Sequence, residues 1–241
     1  MCFTIEIHLS RKAIEDRFRV DSSALYDFDF NYFYRAFSNP FIPVISQEDP
    51  HRVQLMQWGL IPAWSRDRDE AERIRKGTYN ARSESLHEKP SFREALSRGR
   101  CLIIARGFFE WQLVNQVKVP WYISLKNKEP FAFAGLSDSW RDPLSGETFK
   151  SCSIITTDAN PLMEKIHNTK KRMPVLLNKK EEMDWIVGEP SLLNRKKLLR
   201  ACNESELEAY TVSPRLSSSH ADPSDPAMIE PVEHVAPGKL F

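Results

Sequence analysis

Residues 100–111 read RCLIIARGFFEW, and this stretch decides the class of fold that the chain can form. Its first part, residues 101–105, is a continuous apolar run, which is typical of a strand buried on both faces. A turn follows, and Glu110 then stands between aromatic residues. We expect burial to raise the pKa of this carboxyl group, which would suit it to proton transfer. Taken alone, Glu110 is equally consistent with a buried carboxylate that pairs with an arginine.

The segments on either side alternate between strand and helix patterns. Residues 2–9 alternate apolar and polar side chains as a half-buried strand does, and Arg11–Phe18 is predicted to be a short helix capped by Ser10. Further strands are predicted over residues 119–125 and 130–135, as hairpin strands, and over 153–157. Further helices are predicted over residues 161–166, 180–187 and 192–202.

These elements follow one another without an internal repeat or a long linker, so the predicted fold class is α+β. We expect a single domain built on a strongly curved, mostly antiparallel, barrel-like sheet flanked by short helices. The domain is predicted to span residues 1–216. From Ser213 onward the chain is rich in Pro, Ser and Asp and has no periodicity. Residues 217–241 are therefore expected to form an irregular tail, packed on the domain or trailing from it.

Composition argues against several classes of protein. No apolar run approaches the roughly 20 residues that a membrane span needs, and the start of the chain lacks the regions of a signal peptide. The four cysteines are scattered without a C-x-x-C pair, which argues against a zinc site and against a disulfide framework. We therefore expect a cytoplasmic protein without a metal or a cofactor.

The net charge of +1 does not by itself indicate a nucleic-acid binder, but basic residues are segregated locally. Residues 165–180 contain no acidic side chain and six basic ones, which are Lys165, Lys170, Lys171, Arg172, Lys179 and Lys180. Any surface that binds DNA must come from segregation of this kind.

Cys2 directly follows the initiator methionine. Methionine aminopeptidases remove Met before small residues, so the mature chain is expected to begin at Cys2. One residue would then carry a free α-amine, with a reference pKa of about 7.7–8.0, and a thiol, with one of about 8.5. A 1,2-aminothiol condenses with an aldehyde to an imine and then closes to a thiazolidine ring, which an internal cysteine cannot do. On position alone, Cys2 is more simply the first small apolar residue of a strand.

Six ordered motifs change that balance. They are Met1-Cys2, WGLIPAW at 58–64, NARSE at 80–84, GFFEW at 107–111, Thr156-Thr157, and His167 followed by Arg172-Met173-Pro174. In this combination the chain resembles the SOS-response-associated peptidase (SRAP) family, the abasic-site processing proteins. The resemblance extends from Cys2 to about Ser213.

The resemblance implies covalent chemistry at DNA. Cys2 matches the cysteine whose thiol and amine form a thiazolidine cross-link with the ring-opened abasic aldehyde, which shields the lesion during replication. Asn80 matches the asparagine that hydrogen-bonds the linkage. Glu110 matches the glutamate that contacts the terminal amine and shuttles protons. His167 matches the histidine that assists opening of the sugar ring and helps to reverse the cross-link.

Four further matches imply contacts to DNA. Arg82 and Arg172 match arginines that hold phosphates around the lesion. Trp64 matches an aromatic residue that supports or stacks against the kinked strand, and Thr156 matches a threonine that lines the same pocket. The implied partner is single-stranded DNA with abasic sites, bound by a monomer that would be associated with the nucleoid if the protein is bacterial.

The chain also departs from the family pattern. Thr4 stands where the family usually has an arginine, and the family's tyrosine-asparagine-valine-alanine-proline segment is not recognisable. Four residues separate His167 from Arg172, which is more than usual, and two of them, Lys170 and Lys171, are candidates to replace the missing charge. These departures concern the grip on DNA more than the cross-linking chemistry.

Two other functions stay open. Cys2, His167 and Glu110 also fit the thiol, base and carboxylate of a peptidase that acts on its own amino terminus or on other chains. The third reading is a single-strand binding module without catalysis, in which the motifs serve only the fold and the shape of the DNA site. Taken alone, His167 also fits a cation favoured at a helix C-terminus, and Asn80 is more often a turn residue than a catalytic one.

Overall fold

Two β-sheets form the framework of the computed structural model, which describes residues 2–188 and 197–233. The strands are β1 (Thr4–Glu6), β2 (Tyr34–Arg35), β3 (Phe41–Ser46), β4 (Val53–Trp58), β5 (Asn80–Arg82), β6 (Arg100–Ala105), β7 (Gly107–Val114), β8 (Val117–Leu125), β9 (Phe131–Arg141), β10 (Thr148–Asp158), β11 (Arg172–Pro174), β12 (Leu176–Leu177) and β13 (Leu207–Thr211). The helices are α1 (Arg11–Phe18), α2 (Arg68–Arg75), α3 (Pro90–Arg93), α4 (Ala95–Arg98), α5 (Pro161–Ile166) and α6 (Lys179–Ile186).

The first sheet closes into a five-stranded barrel. Its strands pair in the order β10, β4, β3, β6 and β9, and β9 pairs again with β10 to complete the ring. Only the pairing of β10 with β4 is parallel within this ring. The second sheet is antiparallel throughout, in the order β13, β8, β7, β1 and β2. The predicted α+β class with a barrel-like, mostly antiparallel sheet is therefore confirmed.

The stretch over residues 100–111 links these two sheets. β6 lies in the barrel and is buried along its whole length, while β7 begins after Arg106 and lies in the second sheet. Cys101 and Ile103 belong to one buried cluster, and Leu102 and Ile104 belong to another. The predicted burial of this strand on both faces is confirmed. Each fully buried Leu or Ile side chain stabilises the folded state by roughly 1.5–3 kcal/mol.

Strand β10 changes partners along its length. Its first part pairs with β4 and β9 inside the barrel. Its last residues leave the ring and pair with β5 on one side and β11 on the other. The short strands β5 and β11 therefore lie on opposite sides of the same end of β10. This end of the barrel is close to where the second sheet begins.

The predicted helix over Arg11–Phe18 is confirmed, and the Oγ of Ser10 accepts a hydrogen bond from the backbone N–H of Ala13. The predicted hairpin of residues 119–125 with 130–135 is wrong, because β8 pairs with β7 and β13 while β9 pairs with β6, β10 and β12. A two-residue turn explains the difference. Asn115 and Gln116 both have positive φ, as a tight hairpin between β7 and β8 requires. This hairpin places β7 along one edge of β8, and β13 pairs along the other edge.

The segment after β13 packs on the second sheet. The backbone N–H of Val232 donates to the carbonyl of Thr211, and that of Tyr32 donates to the carbonyl of Pro223. Met228 is buried in the cluster that contains Tyr122. The division into residues 1–216 and 217–241 stays a prediction, since residues 234–241 are outside the described ranges. The predicted helix over 192–202 also falls largely outside them. No helix within 2–188 or 197–233 is long and apolar enough to cross a membrane.

Candidate functional site

The candidate site lies where β10 leaves the barrel. Ile154 of β10 stands opposite Asn80 of β5, and Thr156 stands opposite both Arg82 and Pro174 of the flanking strands. Asp158, at the end of β10, stands opposite Arg172 of β11. Strand pairing thus gathers residues from three separate parts of the sequence at one edge of the barrel, around the last residues of β10.

Cys2 joins this edge through Asn80. The Nδ2 group of Asn80 donates a 2.9 Å hydrogen bond to the carbonyl oxygen of Cys2, and the Cys2 thiol donates to the carbonyl of Thr4 at 3.7 Å. Cys2 is fully buried, and this burial raises the pKa of its thiol well above the ordinary value, with a further increase from the charge of Glu110. The Oδ1 atom of Asn80 is also buried, and no residue in the described ranges donates to it.

Glu110 is the buried carboxyl group of the site. It lies on β7 opposite Trp121 and is almost completely shielded from solvent. Burial raises its pKa, while positive charge at the amino terminus and at His167 opposes the shift. The expectation of a raised pKa, drawn from the aromatic neighbours in the sequence, is confirmed. A carboxyl group of this kind can exchange protons at a higher pH than an exposed glutamate does.

His167 stands at the C-terminus of α5, and its Nε2 lies 4.0 Å from Oε2 of Glu110. The other ring nitrogen, Nδ1, lies 2.8 Å from the carbonyl oxygen of Arg172. The backbone N–H of Arg172 also approaches Nδ1, at 3.3 Å, so the two contacts to Nδ1 call for opposite tautomers. Nε2 is the nitrogen that faces Glu110 and can exchange a proton with it.

The longer spacing between His167 and Arg172 is accommodated by a turn that is bound to β7. The side chain of Asn168 donates to the carbonyl of Leu113 at 2.9 Å and accepts from its N–H at 3.0 Å. Lys171 closes the turn with a positive φ of 49°. The turn therefore carries the additional residues outward without moving His167 away from Glu110.

Arg172 lies in the site, but its guanidinium group is already engaged. It forms a two-point ion pair with Glu84, at 2.7 and 3.0 Å, and a second ion pair with Asp158 at 2.8 Å. It also donates to the carbonyl oxygen of Thr156 at 2.7 Å. A phosphate would meet this guanidinium beside two carboxylates, so contact with DNA by Arg172 stays a prediction.

The two other predicted DNA contacts are exposed. Arg82 is the last residue of β5 and projects from the same edge that holds Asn80. Trp64 is 42% exposed, in a loop fixed where Ala63 N–H donates to Asp138 and the indole of Trp140 donates to the carbonyl of Ser65. Thr156 is fully buried between β5 and β11, and its place in the DNA pocket stays a prediction.

Sequence reasoning did not assign a role to the two acidic partners of Arg172. Glu84 follows the NARS segment by one residue, and a single 3₁₀ turn over Ser83–Ser85 directs it towards β11. The signal available in the sequence was a lone acidic residue next to a cluster of polar side chains. In the described ranges, no group of three His, Cys, Asp or Glu side chains is close enough to hold a metal ion.

Comparisons with known proteins show the family to which this sequence is similar. The family model described as SOS response associated peptidase (SRAP) matches residues 1–219. The abasic site processing protein YoqW of Bacillus subtilis (strain 168) is 40% identical over 185 residues, which cover 75% of this chain and 78% of the relative. The abasic site processing protein YoaM of the same organism is 35% identical over 225 residues, which cover 90% and 93%.

The fold is also similar to a solved structure. The crystal structure of a protein from Bacteroides thetaiotaomicron superposes on this chain with a TM-score of 0.91 at 34% sequence identity. The match covers 96% of this chain and all of the other.

Proposed function

This chain belongs to the SOS response associated peptidase family, and we propose that it captures abasic sites in single-stranded DNA covalently through Cys2. The proposal rests on one observation above all, which is the convergence of four polar residues from distant parts of the chain. Asn80 bonds the backbone of Cys2, and His167 approaches the buried Glu110, whose charge acts on the Cys2 thiol. The two relatives named abasic site processing proteins supply the class of substrate.

The proposed reaction begins with the hydrolytic removal of Met1, which frees the amine of Cys2. The amine attacks C1′ of the ring-opened sugar, and the resulting carbinolamine loses water to give an imine. The thiol sulfur then adds to the imine carbon while its proton passes to the nitrogen, which closes a thiazolidine ring. An aldehyde and an aminothiol thereby become a thiazolidine and water, and neither an oxidant nor a reductant is needed.

Glu110 is proposed to carry the protons of these steps. Because burial raises its pKa, it retains a proton to give to the departing hydroxyl group of the carbinolamine. It then accepts a proton from the thiol or the amine. His167 is assigned to ring opening of the sugar. Its Nε2 takes the proton of the C1′ hydroxyl group while the C1′–O4′ bond breaks and O4′ gains a proton, and the reverse transfers close the ring when the cross-link is reversed. Asn80 would hold the Cys2 amine through its Oδ1.

DNA binding is assigned to the rim of the site. Arg82 contacts phosphate without reading the sequence, so binding weakens as the salt concentration rises. Trp64 offers an exposed ring to the strand. Arg172 binds a phosphate only if that phosphate shares or displaces the carboxylate of Glu84, and Thr156 orders Arg172 from behind. The monomeric state and a cytoplasmic, nucleoid-associated location remain predictions.

The peptidase alternative requires a Cys2 thiolate that is stabilised by a positively charged imidazole. The acidic side chain acting on this thiol is Glu110, and its charge raises the thiol pKa rather than lowering it. Burial and this charge do not supply the thiolate that a peptidase nucleophile needs. In the cross-link the amine attacks first, and the sulfur adds only afterwards to the imine that results.

The test is to incubate the protein with single-stranded DNA that carries one abasic site and to look for a heat-stable shifted band. We expect a band from the native chain, and none from Cys2→Ala or from a chain with an uncleavable amino-terminal extension. Cys202→Ala is the matched control, because Cys202 is a partly buried thiol with an amide nitrogen. It should cross-link as the native chain does.

Three results would reject the proposal. Peptide hydrolysis without any covalent DNA species would support the peptidase, and reversible binding without cross-linking would support a binding module. Undiminished cross-linking by Cys2→Ala would remove Cys2 from the reaction. A residual imine formed by the new terminal amine of that variant is identified by its dependence on borohydride.

A further inference from the structure

Phe37 is a large apolar side chain that the fold leaves 65% exposed. It lies in the 3₁₀ turn Ala36–Ser38. Its ring stacks on that of Phe3, with a centroid distance of 4.9 Å and an interplanar angle of 28°. It also meets the ring of Tyr79 edge-on at 5.5 Å and 80°. A single exposed apolar residue is ordinary on a protein surface, but a ring that two neighbouring rings hold in place beside the proposed site is a candidate contact for a partner.

The turn that carries Phe37 is fixed at both ends. The backbone N–H of Ala36 donates to the carbonyl of Phe3 at 2.9 Å. Asn39, with a left-handed φ of 51°, returns its N–H to the carbonyl of Ala36, and its Oδ1 accepts from the Tyr79 hydroxyl at 2.9 Å. The ring is therefore ordered before any partner arrives, which lowers the entropy cost of binding.

The aromatic cluster borders the proposed nucleophile. Phe3 follows Cys2 directly in the chain, and Tyr79 precedes Asn80. Asn80 in turn donates to the carbonyl of Cys2. Two of the three rings are thus one residue away from the groups assigned to the cross-link, and Phe37 is the member of the cluster that solvent reaches most.

We propose that Phe37 is a stacking platform for the nucleobase next to the abasic nucleotide. This inference rests on the proposed function and adds a determinant of its specificity. An abasic nucleotide leaves the neighbouring base without a stacking partner on one side, and the free face of that base is flat and apolar. The ring of Phe37 matches this face and tolerates any of the four bases, because each has a π surface. In an intact single strand the bases can stack on both neighbours, whereas the base beside an abasic nucleotide has one face that is free at all times.

The experiment uses single-stranded DNA with a tetrahydrofuran residue, which mimics the abasic sugar but has no aldehyde. Binding is then measured without cross-linking. The fluorescent base 2-aminopurine is placed beside the tetrahydrofuran residue, because its emission falls when it stacks on an aromatic ring. We expect Phe37→Ala to weaken binding by about tenfold, the order of one base–aromatic stack, and to lose the quenching. Phe37→Trp should retain both.

Tyr26→Ala is the matched control. Tyr26 is 78% exposed and contacts Arg11 instead of the cluster at Cys2, so its loss should change neither affinity nor quenching. Equal affinity and equal quenching for Phe37→Ala and the native chain would overturn the inference. Weak binding by Phe37→Trp with the loss of quenching would do so as well. Cross-linking of an aldehyde-bearing strand by the native chain is scored separately, so the inference can fail while the proposed function stands.

Discussion

The side chain of Asn80 donates a 2.9 Å hydrogen bond to the carbonyl oxygen of Cys2, which ties the start of the chain to the end of the barrel. This bond connects two residues that are 78 positions apart in the sequence. Asn80 lies on β5, which pairs with β10, and Cys2 precedes β1 of the second sheet. It orients the residue that is proposed to react, and it leaves the Oδ1 of Asn80 facing the same region.

Replacing Asn80 with Ala should therefore slow cross-linking. A neutral hydrogen bond contributes about 0.5–1.5 kcal/mol, which corresponds to a reduction of roughly two- to tenfold in rate. The measurement is a single-turnover time course with abasic single-stranded DNA in excess. Asn127→Ala is the control, since Asn127 is an exposed loop residue that bonds Glu129. An unchanged rate for Asn80→Ala would show that the bond does not orient Cys2 for reaction.

Glu110→Gln should reduce the rate much more strongly. Glutamine fills the same space but cannot carry a proton between the amine, the thiol and the departing hydroxyl group. General acid–base catalysis typically contributes about 10²- to 10⁴-fold, and we expect a loss in that range. Affinity for the tetrahydrofuran strand should stay the same. Glu147→Gln, in an exposed hairpin, controls for the loss of negative charge. A rate within a factor of two of the native rate would exclude Glu110 from proton transfer.

Glu84→Gln tests whether Arg172 reaches the DNA. The substitution removes one of two carboxylates from the guanidinium, so a phosphate can take its place. We expect tighter binding at low salt and a salt dependence that is steeper by about 0.7 in the log–log slope, as for one more phosphate contact with a single strand.

Glu94→Gln is the control for Glu84→Gln, because Glu94 pairs with Arg98 at 2.7 Å on an exposed helix. If both variants change the salt dependence equally, the effect is general electrostatics. Arg172 would then serve to hold Glu84, Asp158 and Thr156 together and would not contact DNA.

Glu6 should make the stability of the fold depend on pH. It is fully buried on β1, where its carboxylate accepts hydrogen bonds from the hydroxyl of Tyr122 and from the N–H of His8. Burial raises its pKa from the ordinary 4.5 to about 7, against the opposing charge of Arg106. Since the folded-state pKa is the higher one, the folded state binds the proton more tightly. The stabilisation is complete below about pH 4.5 and is lost as the pH rises through 7.

The difference amounts to about 3 kcal/mol of unfolding free energy, as an order of magnitude. Between pH 5 and pH 8, the unfolding free energy of the native chain should fall by about this amount more than that of Glu6→Gln. The measurement is urea unfolding of both proteins at both pH values. Glutamine keeps one oxygen to accept from the N–H of His8, and its amide nitrogen can donate to the Tyr122 hydroxyl in place of the bond that the second oxygen accepted. Other titrating groups, Glu110 included, remain in both proteins and cancel in the comparison. Parallel pH profiles for the two proteins would contradict the assignment.

Several features of the fold were predictable because they depend on local physical chemistry. The apolar run 101–105 predicts a strand buried on both faces, since no side of it tolerates water. Ser10 before an amphipathic segment predicts the start of α1, since its side chain replaces a missing backbone partner. The aromatic neighbours of Glu110 predict its burial and the raised pKa.

The tertiary structure decided those features for which distant segments compete, such as strand pairing and side-chain contacts. The pairing of β8 with β7 and not with β9 follows from the tight turn at Asn115 and Gln116, whose effect on pairing a strand pattern does not reveal. The engagement of Arg172 by Glu84 and Asp158, and the exposure of Phe37 above Phe3, likewise require three-dimensional neighbours.

The sequence by itself determined that Cys2 has a reactive type of side chain next to a removable methionine, together with the residue types that such chemistry needs. Only the folded chain decided that Asn80 bonds Cys2 and that His167 lies 4.0 Å from Glu110. The physical reason is that residue type and local pattern set the chemistry and burial of each side chain. The distance between two side chains is set by how strands far apart in sequence close into a barrel, and no local pattern encodes that closure.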